Sequence, residues 1–281
     1  MKKLNFTKHS KFLLILPLIA IMAIPTTVVK ASQFTVNLGK SSSFAVLAYS
    51  TITNTGPTTI SGTAGGNIGL FPGTSYTGDT SVTLSGSVHL TDTLASSAKD
   101  ALTKAYINAA GRTPATVIPA ELGGTTLIPG VYTSLDGSFQ ITGTLTLDAQ
   151  GDDNGIFIFQ TESTLKTATD SNVQLIGAAE NCHIFWQVGS SATLEANSNF
   201  VGHVLAMISI TAKTGAKIQG QLLARTGAVT LDTNTITNDV CLTAGLLPKT
   251  STSLYGWLLT GIVLTLLGGL GLSIKKLYGQ I

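Results

Sequence analysis

The sequence predicts a mainly β protein, a parallel β-solenoid with one α-helix packed alongside. Three observations carry this prediction. Residues 182–235 divide into three blocks of 18 whose columns alternate between apolar or small residues and polar ones. Glycine is abundant, at 30 of 281 residues, and charged residues make up only 11%, against roughly 25% in an average globular chain. A single internal segment, 92–111, switches from strand-like alternation to helical spacing.

Taken in chain order, residues 1–31 read as a secretory signal. Lys2, Lys3, Lys8 and Lys11 form a positive n-region ahead of an apolar run from Phe12 to Ile24. Val29 and Ala31 place small side chains at the −3 and −1 positions, so cleavage is expected between Ala31 and Ser32. A domain over 32–243 follows. Its first third, from Phe44 to Leu90, consists of short apolar runs broken by Gly and Pro, as expected of strands and turns.

In 92–111, Leu94, Ala98, Ala101, Leu102, Ala105 and Ala109 recur at helical spacing. Thr91 or Asp92 can cap the start and Gly111 can end it. The narrow Ala-rich stripe lets the helix lie close against a sheet. Beyond it, Thr144-Leu145-Thr146-Leu147 and Ile156-Phe157-Ile158-Phe159-Gln160 supply strands separated by the turn Gly151-Asp152-Asp153-Asn154-Gly155.

In the 18-residue repeat, the third column holds Ile184, Gly202 and Gly220, and the fifth Trp186, Val204 and Leu222. The seventh holds Val188, Ala206 and Ala224, and the eleventh Ala192, Ile210 and Ala228. A short repeat with period-2 alternation suits coils that each bury a face on the next. A sandwich is the alternative architecture, which the repeating columns argue against.

The C-terminus carries a second address. Residues 244–253 form a linker containing Leu247-Pro248-Lys249-Thr250-Ser251, followed by an apolar stretch over 254–274 and a basic tail over 275–281. The stretch is long enough to span a bilayer, and Lys275 and Lys276 suit its cytoplasmic side. The three-part arrangement resembles the cell-wall sorting signal of Gram-positive surface proteins. That resemblance implies a sortase that cleaves after Thr250 and joins it to peptidoglycan; the usual fifth residue is Gly, where this chain has Ser251. A plain membrane anchor is the alternative, and both place the domain outside the cell.

Charge excludes one class of partner. The formal charge is +2, but without the seven lysines of the two end segments the chain keeps nine Lys and Arg against fourteen Asp and Glu, or −5. Nucleic-acid binding needs a basic stripe, and this sequence has none.

Several segments resemble, in order, the microbial ice-binding-like domain. They are Leu38-Gly39, Phe44-Ala45-Val46-Leu47-Ala48, Ser50-Thr51-Ile52-Thr53-Asn54-Thr55-Gly56, Pro129-Gly130-Val131-Tyr132 and Leu145-Thr146-Leu147-Asp148-Ala149-Gln150-Gly151. Ile156-Phe157-Ile158-Phe159-Gln160, Phe185-Trp186-Gln187-Val188-Gly189 with Ser190 to Leu194, and Gly227-Ala228-Val229-Thr230-Leu231-Asp232 continue the match. The resemblance covers about 34–241. It implies a right-handed, discontinuous solenoid of triangular section with one long helix alongside, in which N- and C-terminal segments share one domain. It also implies a secreted protein that adsorbs to ice. Because a fold does not fix function, a cell-wall-anchored adhesin or structural module that binds glycan or protein is the rival.

An ice-contacting face needs regular, rigid positions, and Thr offers a methyl and a hydroxyl with restricted χ1. Thr193, Thr211 and Thr230 are the ladder candidates, with Thr230 shifted by one column, and Thr214 joins them because Thr211-Ala212-Lys213-Thr214 resembles the short Thr-Ala/Gly-x-Thr/Asn pattern of some members of that family. Thr is also an ordinary outward strand residue. Glu195 and Lys213 are expected on the same face, 18 residues apart and able to pair, where they would roughen it.

Enzymatic turnover is not expected, and neither is a cofactor. His89, His183 and His203 show no metal-binding spacing and are expected at surfaces or turns. Asp148, Asp152 and Asp153 offer oxygen ligands in one turn, which suits a small calcium site but also a solvated β-turn, the reading preferred here. Glu121, Glu162 and Glu180 form no evident acid–base pair. Cys182 and Cys241 are the only cysteines. An exported chain can join them, although three coils at ~4.8 Å each separate them by about 14 Å unless the chain folds back.

Overall fold

The computed structural model describes residues 33–241. The expected signal, with Ala31 and Ser32, lies outside the described residues, as do the motif Leu247 to Ser251, the apolar stretch and the basic tail. Among the described residues no helix is long and apolar enough to cross a membrane.

Among the described residues the fold is mainly β, with one α-helix, and every strand pairing between named strands is parallel. The strands lie in three stacks. One is a separate sheet of seven strands; the other two merge into one sheet of fifteen. They merge because Asn199–Ala206 and Lys217–Ala224 run unbroken through a corner. At that corner Gly202 and Gly220 face each other with φ of 112° and 148°. A Cβ on Gly220 would stand 2.0 Å from the Gly202 carbonyl oxygen, so only glycine lets both strands turn there.

The stack beneath the helix explains the least alternating runs of the sequence. It contains Phe44–Ala48, Phe157–Thr161 and Ile184–Val188. Its inner side meets the core and its outer side meets the helix, so both faces need apolar residues. Phe157↔Ile184 and Phe159↔Trp186 stack in register. Core rings follow from coil to coil, with Phe159 3.9 Å from Trp186 and Trp186 5.3 Å from Phe200. The Trp186 indole N–H donates to the Val201 carbonyl at 3.0 Å, which satisfies its one polar group.

The helix, α1, spans Thr93–Ala110. Asp92 caps it by accepting from the Ala95 N–H at 2.8 Å, and Gly111 follows its end. Ala98, Leu102, Ala105 and Ala109 press on Leu47, Ile158, Phe185, Leu205 and Leu223. Small side chains on that stripe permit the close approach expected from the sequence.

Lys99 lies on the same buried side. Its ammonium donates to the carbonyls of Ala224 and Arg225 and sits 5.4 Å from the Tyr49 ring centroid. Burial, helped by Arg225, pulls its pKa down to about 7. An unfolded lysine keeps its proton to about 10.4. Between these values the unfolded chain binds more protons, so this residue makes folding more favourable as pH rises from about 7 to about 10. The expected result is a melting temperature whose rise between neutral and alkaline pH is flattened in Lys99→Met. Equal slopes for the two proteins would contradict this account.

The chain order is discontinuous. Phe44–Ala48 pairs with the coil of Leu222 and Leu223, and Thr51–Thr55 pairs with Val229–Asp232. The first strands therefore sit beyond the last coil. Gln221 holds the joint: its side-chain amide is fully buried and donates to the carbonyls of Ser41 and Phe44.

Two expectations need correction. Ile210 pairs with Val229, not Ala228, because the corner after Ala224 holds one residue more than the corner after Ala206. His203 is not at a surface or turn: it is buried in the Asn199–Ala206 strand beside Phe185, and burial pulls its pKa down to about 4.

Candidate functional site

The seven-stranded sheet presents the most regular outer surface. Its inward residues, including Ile52, Ala192, Leu194, Ile210, Ala212, Val229 and Leu231, are buried in the core. Side chains between them point outward by the period-2 rule. Register then aligns them: Thr193↔Thr211, Thr211↔Thr230, Thr53↔Thr230 and Thr53↔Thr77. The result is an unbroken column of five threonines. With strands ≈ 4.8 Å apart it extends about 19 Å.

Two residues earlier, at or just before the start of each strand, stands a second outward column, Ser191, Ser209, Ala228, Thr51 and Ser75. All five are small and uncharged. The columns lie about 6.7 Å apart along the strands. Hydrogen bonds stiffen the second one, because the Ser209 N–H donates to Ser191 Oγ at 3.3 Å and the Ala228 N–H to Ser209 Oγ at 3.1 Å.

Charges stand at the margin of this grid. Glu195 and Lys213 follow Thr193 and Thr211 by two positions and pair at 2.8 Å, with Lys166 3.7 Å away on the other side of the carboxylate. The hydrogen bond to Lys213 holds the Glu195 carboxyl below its ordinary range. Lys166 lies beside Thr193 in the threonine column and ends it on that side.

Of the sequence candidates, the structure brings Thr193, Thr211 and Thr230 into one column. Thr214 stands apart, in the turn after Ile210–Ala212, where its hydroxyl donates to Asp232. Thr53 and Thr77 escaped the sequence reading because their strands precede the repeat and reach this sheet only through the discontinuous order. Alternation around Ile52 and Tyr76 was the available signal.

The other candidates separate. Asp148 and Asp152 accept from the backbone N–H groups of Gln150 and Asn154, as in ordinary turns. The Glu121 carboxylate binds the N–H groups of Thr142 and Gly123; burial works to raise its pKa, but these bonds outweigh it and hold it low. A groove of about 630 Å³ beside α1 is lined by residues such as Asn37, Lys40, Asp100, Lys104 and Arg112, with no aromatic ring among its lining residues. It lacks the aromatic platform expected of a glycan groove.

Cys182 and Cys241 are joined, with Cα atoms 5.5 Å apart. The chain folds back to allow it. Asn238 donates to the Ser42 and Gly65 carbonyls, and Asp239 accepts from Thr63. From Asn238, three extended residues reach about 10 Å back along the stack, and the bridge covers the rest.

The family model for the ice-binding-like domain matches residues 46–237. The chain belongs to the ice-binding-like family. It is 42% identical to an ice-binding protein of Nostoc sp. (strain HG1) over 82% of this chain and 83% of the relative. It is 35% identical to an ice-binding protein of Colwellia sp. over 81% of this chain and 93% of that protein. Among solved structures, an ice-binding protein from an Antarctic biological consortium superposes with a TM-score of 0.71 at 42% identity, covering 74% of this chain and 93% of the other. One from the ascomycete Antarctomyces psychrotrophicus gives 0.68 at 38% identity, covering 72% and 98%. The discontinuous order of parallel strands and the flanking helix are thus described for a member of this family.

Proposed function

We propose that this chain adsorbs to ice through the outer face of the seven-stranded sheet. The observation that carries the reading is the column of Thr77, Thr53, Thr230, Thr211 and Thr193 in consecutive register. Each threonine offers a methyl and a hydroxyl on a stiff side chain. Parallel pairing repeats them at one spacing, and the neighbouring column of small residues leaves them unobstructed. The surface can therefore order water ahead of contact without rearranging. The names of the curated relatives support the same ligand. Thermal hysteresis and ice recrystallisation inhibition by purified residues 32–245 test the reading; a folded sample without either activity would sink it.

The same proposal includes a right-handed β-solenoid of triangular section, surface adsorption without turnover, and no cofactor for it. It also takes residues 1–31 as a cleaved signal and Leu247-Pro248-Lys249-Thr250-Ser251 as a sorting motif ahead of a membrane span over 254–274. The chain would then be displayed on the wall of a Gram-positive cell. In such a host, Thr250→Ala is expected to move the protein from the wall fraction to the membrane fraction. An unchanged distribution would remove the sortase from the account.

A further inference from the structure

The corner where the C-terminal segment returns to the stack gathers four metal-ligating side chains. Glu180, Cys182 and His183 come from the turn ahead of Ile184–Val188, and Cys241 from the returning segment. One ligand atom from each lies within 4.8 Å of every other. His183 Nε2 is 3.1 Å from Cys241 Sγ, and Glu180 Oε2 is 3.6 Å from Cys182 Sγ. The other ring nitrogen, His183 Nδ1, is buried without a hydrogen-bond partner. The imidazole therefore directs its polar contact at the Cys241 sulfur.

We propose that, once the disulfide is reduced, Glu180, Cys182, His183 and Cys241 form a tetrahedral site for a zinc-class divalent cation. Two thiolates, an imidazole and a carboxylate are the donor types such an ion takes, at about 2.0–2.3 Å each, which sets edges of about 3.3–3.8 Å between ligands. Two spacings in the joined state, 3.1 and 3.6 Å, are already close to those edges, and the others lie within 4.8 Å. The two sulfurs must separate, and reduction frees them to do so. The chemistry balances with a phosphine as reductant. It transfers two electrons to the S–S bond, water supplies its oxygen to the phosphine oxide and two protons to the sulfurs, and the cation then displaces both protons. The ion would clamp the C-terminal segment to the stack in the reduced chain, as the covalent bond does in the oxidised one.

Sequence spacing conceals this set, because Cys241 lies 58 residues from His183. Only the folded-back segment brings it to the turn.

The test uses the full chain in mild detergent, reduced with a phosphine and titrated with Co²⁺. Expected are thiolate-to-cobalt charge-transfer bands and tetrahedral d–d bands that saturate at one equivalent and are displaced by Zn²⁺. The unreduced chain should show neither. Cys182→Ser should remove the charge-transfer intensity of that thiolate, and His183→Gln should weaken affinity roughly tenfold or more. A reduced, folded chain without these bands would overturn the proposal, as would bands unaltered in both variants. If reduction itself unfolds the chain, Zn²⁺ should restore the β-sheet circular dichroism; failure to restore it would also overturn the proposal.

Discussion

Thr211→Tyr is expected to reduce thermal hysteresis, at equal protein concentration, to less than about a tenth. Thr211 is the middle member of its strand neighbours, with Thr193 on one side and Thr230 on the other. A loss of about 2 kcal/mol of contact energy lowers affinity more than tenfold. A tyrosine ring would rise above the threonine plane and hold ice away from both neighbours. Its outward position leaves the core intact, so circular dichroism and melting temperature should hardly change. Thr235→Tyr is the matching control, because Thr235 is an exposed residue on the third stack, between Lys217 and Thr59. Loss of activity in Thr235→Tyr with Thr211→Tyr unaffected would move the site to that stack.

The second large effect concerns the bridge. Replacing both Cys182 and Cys241 with serine is expected to cost about 4 kcal/mol in the oxidised chain, the loop-entropy value for a closure of this length. For a domain of this size the melting temperature should fall by roughly 10 °C. The residues that depend most on the bridge are Asn238 to Val240, since the other ties of that segment include only hydrogen bonds, to Ser42, Ser61, Thr63, Ala64 and Gly65. Hydrogen exchange there should accelerate more than in α1. An unchanged melting temperature would show that those hydrogen bonds hold the segment unaided.

Much of this was readable from the chain because one repeat length acts on both local and global structure. The columns of Trp186, Val204 and Leu222 and of Val188, Ala206 and Ala224 are the observed registers. The helix ends where Asp92 and Gly111 place its caps. The Glu195–Lys213 pair followed from the same 18-residue step. Departures arose where that step fails. One additional corner residue moved Val229 into the place expected for Ala228. Thr53 and Thr77 join the column only after Thr51–Thr55 pairs with Val229–Asp232, a contact that no local periodicity encodes. His203 looked like a turn residue because its type is usually exposed, whereas its strand is covered on both faces. The fold-back that unites the cysteines depends on Asn238 and Asp239 gripping the N-terminal segment, again across most of the sequence.

That joint between the first strands and the last coil sets an order of assembly. As the chain emerges from its N-terminus, Phe44–Ala48 finds one neighbour, Asn67–Leu70, close in sequence. Its other neighbour, the strand holding Leu222 and Leu223, is made only after about 170 further residues. The buried amide of Gln221 must likewise wait to receive Ser41 and Phe44. Contacts of such long separation close slowly. The emerging N-terminal third therefore exposes an apolar strand edge throughout synthesis, and the last coil to appear is the one that covers it.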